Sequence, residues 1–95
     1  MANIILKTFG VFRSDTGIAK QELNIDKVSD IFPVLVTAID MVYEQVRQQN
    51  PETERPADIK FKDAIVYING EKCKKKSAKL NDGDEVWVMS PASGG

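Results

Sequence analysis

One apolar stripe with helical spacing constrains the fold of this chain more than any other feature of its sequence. Its members lie three, four, seven or eight positions apart, as residues on one face of an α-helix do. Ser29 is a suitable N-cap, Asp30 complements the positive end of the helix dipole, and Pro33 is tolerated in a first turn. The sequence therefore predicts one long amphipathic helix from Asp30 to about Gln48. The stripe comprises Ile31, Leu35, Ala38, Ile39, Val42, Tyr43 and Val46.

Segments of strand composition lie before this helix. Asn3–Phe12 is rich in β-branched and aromatic residues, and Ile18–Ile25 roughly alternates apolar with polar residues. Arg13–Gly17 supplies turn residues between them, so we expect an N-terminal β-hairpin with this five-residue connection. After the helix, Asn50–Pro56 contains two prolines and no apolar residue, which predicts an exposed loop.

The C-terminal third predicts further strands. Ala64–Ile68 is a short apolar run, and the Asn-Gly pair that follows it is the strongest two-residue hairpin signal, because a type I′ turn needs positive φ at both positions. Glu71–Lys75 is then the partner strand. A second turn at Asn81–Asp84 leads into a last strand, Glu85–Met89.

Composition limits the classes of function. The chain has 95 residues, 42% of them hydrophobic and 28% charged, which suits one globular domain with a modest core. A net charge of -1 gives no global attraction to nucleic acid or to an anionic membrane. Met1–Leu6 lacks the pattern of a secretory signal, and no apolar run approaches the roughly 20 residues that span a bilayer. We therefore expect a soluble cytoplasmic protein with no nucleic-acid or membrane partner.

The chain contains no histidine and only one cysteine, Cys73. It therefore lacks the commonest general base, the usual soft-metal ligand sets and any internal disulfide. The carboxylates Asp82, Asp84 and Glu85 lack the ligand spacing of a calcium loop and are typical of a solvated turn. We expect no metal site, no tightly bound cofactor and no self-contained catalytic site.

The order of elements, a hairpin, one long helix and then two or three strands, predicts an α+β fold of the ubiquitin-like β-grasp type. In this fold a mixed sheet packs on one long helix, and the first and last strands run parallel at the sheet centre. We expect the β-grasp domain to span residues 1–89 and a flexible C-terminal tail to span residues 90–95.

Side chains shrink along this tail towards Gly95. Pro91 stiffens the exit from the sheet, whereas Ser93 and Gly94 leave a backbone slim enough to enter a narrow channel of another protein. The group delivered at the tip is the Gly95 carboxylate. The alternative is that small residues at a chain end carry no function.

Three segments resemble the small sulfur-carrier proteins, which include the small subunit of molybdopterin synthase and its relatives in thiamine synthesis and tRNA thiolation. Leu80–Gly95 (LNDGDEVWVMSPASGG) resembles their C-terminal signature, and Val66–Gly70 (VYING) resembles their penultimate hairpin. The pairs Phe9-Gly10 and Phe12-Arg13 resemble the segment after the first strand in the molybdopterin synthase branch.

The resemblance implies that chemistry is performed on this protein by partners. A ubiquitin-activating-type enzyme would use ATP to adenylate the carboxylate of Gly95, and a sulfur donor would displace AMP to leave a thiocarboxylate. The molybdopterin synthase large subunit would then accept the tail and pass the sulfur to the pterin precursor. Thiamine or tRNA thiolation, conjugation of Gly95 to lysines as a ubiquitin-like modifier, and a plain interaction module remain alternatives.

The sequence also predicts two surface features. Alternation along the last strand sets Val88 opposite Trp87 and Met89, and Phe9 and Met89 facing outwards would form an apolar patch for partner docking. A lysine run suits an edge strand protected from unwanted pairing, or a contact with phosphate or an acidic partner. The run comprises Lys72, Lys74, Lys75, Lys76 and Lys79, with Cys73 inside it pointing either inwards or to solvent.

Overall fold

A computed structural model describes residues 1–91 of the chain. It contains five strands, two α-helices and two short 3₁₀ turns within those residues. The strands and helices, in chain order, are β1 (Ala2–Thr8), α1 (Val11–Thr16), β2 (Lys20–Ile25), α2 (Ile31–Gln49), β3 (Ile65–Ile68), β4 (Glu71–Cys73) and β5 (Glu85–Met89). The 3₁₀ turns span Val28–Asp30 and Phe61–Asp63.

The strands form one mixed sheet in the order β2-β1-β5-β3-β4. The pairing of β1 with β5 is parallel, from Ile5 opposite Glu85 to Thr8 opposite Val88, and the other neighbours are antiparallel. One face of this sheet shares a buried cluster with α2. The predicted ubiquitin-like β-grasp fold is therefore confirmed, including the parallel neighbours at the sheet centre.

The apolar stripe of α2 is buried as predicted over its N-terminal half. Ile31, Leu35 and Ile39 have no exposed surface, whereas Val46 at the far end is 42% exposed. The cap differs from the prediction, because Asp30 rather than Ser29 precedes the first helical residue. The Asp30 carboxylate accepts hydrogen bonds from the backbone N–H groups of residues 26 and 27, both at 3.2 Å, which fixes the turn that leads into the helix.

The predicted connection of the N-terminal hairpin is wrong, although β1 and β2 do pair. The strand ends at Thr8 instead of Phe12, and α1 fills most of the connection. Gly17, in the left-handed region with φ 70°, ends α1 by donating its N–H to the Arg13 carbonyl at 2.9 Å. Phe12 packs against the core from this helix rather than from a strand.

The predicted turn after β3 is confirmed. Asn69 and Gly70 have φ values of 51° and 87°, as a type I′ turn requires. The Asn69 side chain also donates to the Asp84 carboxylate at 2.8 Å and accepts from the Glu85 N–H at 2.9 Å. This turn therefore also fixes the start of β5. The partner strand β4 ends at Cys73, two residues before the predicted end at Lys75.

Truncation of Leu35 tests the packing of α2 on the sheet. We expect Leu35→Ala to lower the free energy of unfolding by about 2–5 kcal/mol, because it leaves a cavity under a fully buried side chain. Met41→Ala on the same helix removes a side chain that is 63% exposed, and its effect should stay within about 0.5 kcal/mol. Urea denaturation followed by circular dichroism measures both. Equal effects of the two substitutions would contradict this packing.

Candidate functional site

The candidate site begins where β5 leaves the sheet. The strand lies between β1 and β3, and Val86 and Val88 are fully buried. Ser90 is still 8% exposed, whereas Pro91 is exposed, so the chain reaches the surface at Pro91. The other tail residues predicted to function, Ser93, Gly94 and Gly95, lie outside the described residues, and their roles stay predictions.

The end of β5 is held from both sides. The Phe9 N–H donates to the Val88 carbonyl at 3.2 Å, and Ile65 of β3 pairs with Met89. Backbone groups paired on both flanks cannot shift without breaking several hydrogen bonds together. The origin of the tail therefore has a fixed position and direction relative to the folded domain.

An apolar patch covers the sheet face opposite α2, next to the end of β5. The Phe9 and Trp87 rings meet edge to face with their centroids 5.3 Å apart, and each side chain is 36% exposed. Met89 is half-buried and Val88 fully buried, which confirms the predicted alternation. Cross-strand pairing places Ile65 beside Met89 and Tyr67 beside Trp87 on this face. The outer sheet patch is defined here as Phe9, Ile65, Tyr67, Trp87 and Met89.

The sequence predicted partner docking by Phe9 and Met89 and gave Trp87 no role in it. The strand alternation already placed Trp87 on the same face as Met89. The position of Phe9 directly after β1, and so beside β5, follows only from the parallel pairing of these strands. Aromatic side chains supply a large contact area at low entropic cost. Trp87 is therefore a stronger candidate contact residue than Met89.

A small polar network borders the outer sheet patch. The Trp87 indole N–H donates to Glu85 Oε1 at 2.6 Å, and Lys7 Nζ lies 3.1 Å from the same oxygen. Both groups favour the ionised carboxylate, so the pKa of Glu85 is lowered, first by the hydrogen bond from Trp87 and then by that from Lys7. This network fixes the orientation of the indole on an otherwise apolar surface.

A groove of about 430 Å³ lies beside the exit of the tail. Phe12 and Asp15 of α1, Ile59, Ser90 and Pro91 are among the residues that line it. Partial burial raises the pKa of Asp15 above its ordinary value. The helix that replaced the predicted turn therefore forms one wall of the tail exit.

The other sequence features belong to the scaffold or to another surface. The strand β4 is an edge of the sheet, which fits the interpretation of Lys72, the lysine within that strand, as edge protection. Cys73 is half-buried with its Sγ 3.2 Å from the Lys75 carbonyl oxygen. The carboxylates of Asp82 and Asp84 accept hydrogen bonds from the backbone N–H groups of residues 3 and 81, at 2.8 Å each. Residues 1–91 hold no group of three or more histidine, cysteine or acidic side chains placed to bind a metal.

None of the helices formed by residues 1–91 combines the length and the apolar character that a membrane span requires.

Comparison with known proteins places this site in a family context. The model of the ThiS family matches residues 20–95. The structure resembles small archaeal modifier protein 1 of Haloferax volcanii, with TM-score 0.66 and 22% identity over 99% of this chain and 100% of that one. It also resembles the protein of the same name from Methanosarcina acetivorans, with TM-score 0.62 and 26% identity over 100% and 98% of the chains. The structure also resembles a putative molybdopterin converting factor subunit 1 from Pyrococcus furiosus. The TM-score is 0.64 and the identity 20%, over 96% of this chain and 99% of that one. No curated protein matches the sequence.

Titration of Glu85 tests the polar network. We expect its pKa, followed by NMR of the side-chain carboxyl, to lie below the ordinary glutamate value. The pKa of Glu85 is lower in the folded than in the unfolded chain. The ionised carboxylate therefore stabilises the fold at neutral pH, and this contribution is lost as the pH falls from the ordinary glutamate pKa to the folded pKa. Trp87→Phe keeps an aromatic ring but removes the indole N–H donor, so it should raise the pKa of Glu85. An unchanged pKa in that variant would contradict the assignment.

Proposed function

This chain belongs to the ThiS family, and we propose that it is a sulfur carrier whose Gly95 carboxylate is converted to a thiocarboxylate by partner enzymes. The family model extends through the tail, and the fold is that of a small ubiquitin-like protein. Ubiquitin-like carriers of this kind are not catalysts by themselves. The reacting group on this chain is the acid at Gly95.

The observation that supports this function best is the fixed end of β5 followed by the exposed Pro91. Only residues 92–94 separate Pro91 from Gly95. An extended chain spans about 3.3–3.6 Å per residue, so Gly95 can reach about 13–14 Å beyond Pro91. That reach is enough to enter the active site of a docked partner, and the missing Cβ of Gly94 narrows the segment directly behind the reacting group.

The proposed chemistry divides into two displacements. An oxygen of the Gly95 carboxylate attacks the α-phosphorus of ATP held by a ubiquitin-activating-type enzyme, and pyrophosphate leaves. Hydrosulfide (HS⁻) released by the sulfur donor then attacks the activated carbonyl carbon, AMP leaves, and loss of the S–H proton from the new C–S–H group gives the thiocarboxylate. Activation is needed because a free carboxylate is a poor electrophile, and AMP is a far better leaving group than oxide.

As the acceptor of the sulfur we propose the pterin precursor of the molybdenum cofactor, bound by a molybdopterin synthase large subunit. The resemblance of Phe9-Gly10 and Phe12-Arg13 to that branch supports this assignment. Phe9 belongs to the outer sheet patch, and Phe12 lines the groove at the tail exit. Both phenylalanines therefore lie where a large subunit that receives the tail would make contact. Thiamine or tRNA thiolation would use the same carboxylate with another acceptor.

A protein modifier is the second candidate function. The Methanosarcina acetivorans relative, at 26% identity, carries the name of a modifier protein. In this function a lysine Nζ of a target protein attacks the same activated carbonyl, and the product is an isopeptide bond. Carrier and modifier therefore share the activation step and differ only in the final nucleophile.

Mass spectrometry of the protein isolated from its own cells tests the proposal. We expect a free chain in which one terminal oxygen is replaced by sulfur, and deletion of Gly95 should abolish this species and activity in the host pathway. Ladders of lysine conjugates without the thiocarboxylate would favour the modifier. Full pathway activity of the Gly95 deletion would overturn both functions and leave an interaction module.

Substitutions in the outer sheet patch test docking. We expect Phe9→Ala combined with Trp87→Ala to weaken binding to the activating enzyme at least about tenfold, because truncation of an aromatic hot spot at the centre of an interface costs about 2 kcal/mol or more. Val11→Ala is a matched control, since this residue is 52% exposed on α1 and lies outside the patch. Surface plasmon resonance measures both variants. Equal binding of the double variant and the unsubstituted protein would show that the patch is not the docking surface.

A further inference from the structure

An open groove of about 970 Å³ lies between the N-terminal half of α2 and the segment 58–62. Phe32 and Phe61 meet edge to face in its floor, with ring centroids 6.0 Å apart, and Pro33 and Val36 extend the apolar surface along the helix. Phe61 and Val36 are half-buried, and Pro33 is exposed. The groove therefore offers an apolar surface on the side of the molecule that carries the helix, away from the outer sheet patch.

Lysines surround this floor. Lys60 and Lys62 come from the segment before β3, and Lys74 and Lys76 from the segment after β4, and all four are exposed. The helix-loop groove is defined here by these four lysines and by Phe32, Pro33, Val36 and Phe61.

Backbone hydrogen bonds fix both lysine segments. The Ser29 N–H at the start of α2 donates to the Lys76 carbonyl at 2.8 Å. The Asp63 N–H donates to the Lys60 carbonyl at 2.9 Å and closes the 3₁₀ turn that carries Lys62. Two segments distant in sequence are thus held on the two sides of one apolar floor.

The charge of the helix-loop groove is positive, although the whole chain has a net charge of -1. The one carboxylate that lines it, Asp58, is paired with Arg55 Nη1 at 2.9 Å. The same guanidinium also pairs with Asp40 of α2, whose Oδ1 lies 2.7 Å from Arg55 Nε. Within residues 1–91 no ion pair involves any of the four groove lysines. Edge protection of β4 explains Lys72, which lies in that strand, but not Lys60 and Lys62, which precede β3.

We propose that the helix-loop groove binds an acidic amphipathic segment of a partner protein. Apolar side chains of that segment pack on Phe61 and Val36, and flanking aspartates and glutamates face the lysines. Phe32 is only 9% exposed and meets Phe61 edge to face, so of these two rings only the half-buried Phe61 is left to stack a base, which disfavours a nucleic-acid strand. The inference goes beyond the proposed function and does not rest on it, because none of the residues that define the helix-loop groove belongs to the tail. Lys62 also lines the groove at the tail exit.

Fluorescence anisotropy with synthetic peptides tests this proposal on the full chain. The probe is a fluorescein-labelled peptide with a Leu-Phe core flanked by aspartate and glutamate. We expect saturable binding, with changes in the backbone amide NMR shifts of residues 32, 34–37, 58–62 and 74–76. The double variant Lys62→Glu with Lys76→Glu should weaken binding about tenfold, because two attractive charges become repulsive. Val36→Ser should also weaken it, because the apolar contact is reduced.

Matched controls separate this site from general charge attraction. Lys72→Glu with Lys75→Glu changes the net charge equally, but these lysines line a different surface. This control should bind the peptide normally, and a peptide with lysine in place of each acid should not bind. Amide spectra of every variant verify the fold.

Several results would overturn the proposal. One is the absence of saturable binding up to about 1 mM peptide. Others are an equal loss of peptide affinity in the two lysine double variants, or unchanged peptide affinity in Val36→Ser. The last is a set of amide NMR shifts that maps to another surface. Displacement of the peptide by single-stranded oligouridylate would instead indicate a nucleic-acid site.

Discussion

The parallel pairing of β1 with β5 joins the beginning and the end of the described chain in the middle of the sheet. Val86 and Val88 from β5 and Leu6 from β1 are fully buried in the same cluster as the stripe of α2. The main apolar core therefore exists only when β5 is in place. The same hydrogen bonds also set where the chain emerges, at Pro91, so stability and presentation of the tail depend on one set of contacts.

The two faces of the sheet differ in what they contact. One face is covered by α2, and the uncovered face carries the outer sheet patch directly beside the origin of the tail. A partner docked on Phe9 and Trp87 would have the tail within reach of its active site, which is the arrangement that the proposed sulfur transfer needs. The helix-loop groove lies on the covered side, so an acidic segment bound there would leave the outer sheet patch free for a second partner.

Much of this architecture could be predicted from the sequence, because strong local signals agreed with the tertiary structure. The stripe through Leu35 and Ile39 predicted the helix, the Asn69-Gly70 pair predicted the hairpin, and the alternation around Val88 predicted the two faces of β5.

The helix α1 was missed because its six residues are too few to display helical periodicity and include Val11 and Phe12, which favour strands. Trp87 was not assigned to docking because its contact with Phe9 depends on the pairing of strands far apart in sequence. The helix-loop groove was missed for the same reason, since residues 60–62 and 74–76 come to line one groove only after the sheet forms.

The central position of β5 also bears on the order of events during synthesis. Before Glu85–Met89 has left the ribosome, β1 and β3 have no strand between them, and this long-range pairing must wait for almost the whole chain. Under the proposed chemistry, the reactive acid follows directly after the strand whose insertion completes the fold. A nascent or truncated chain would then lack the reactive end, and a misfolded chain would lack the docking surface, so the arrangement confines activation to molecules that have already matured.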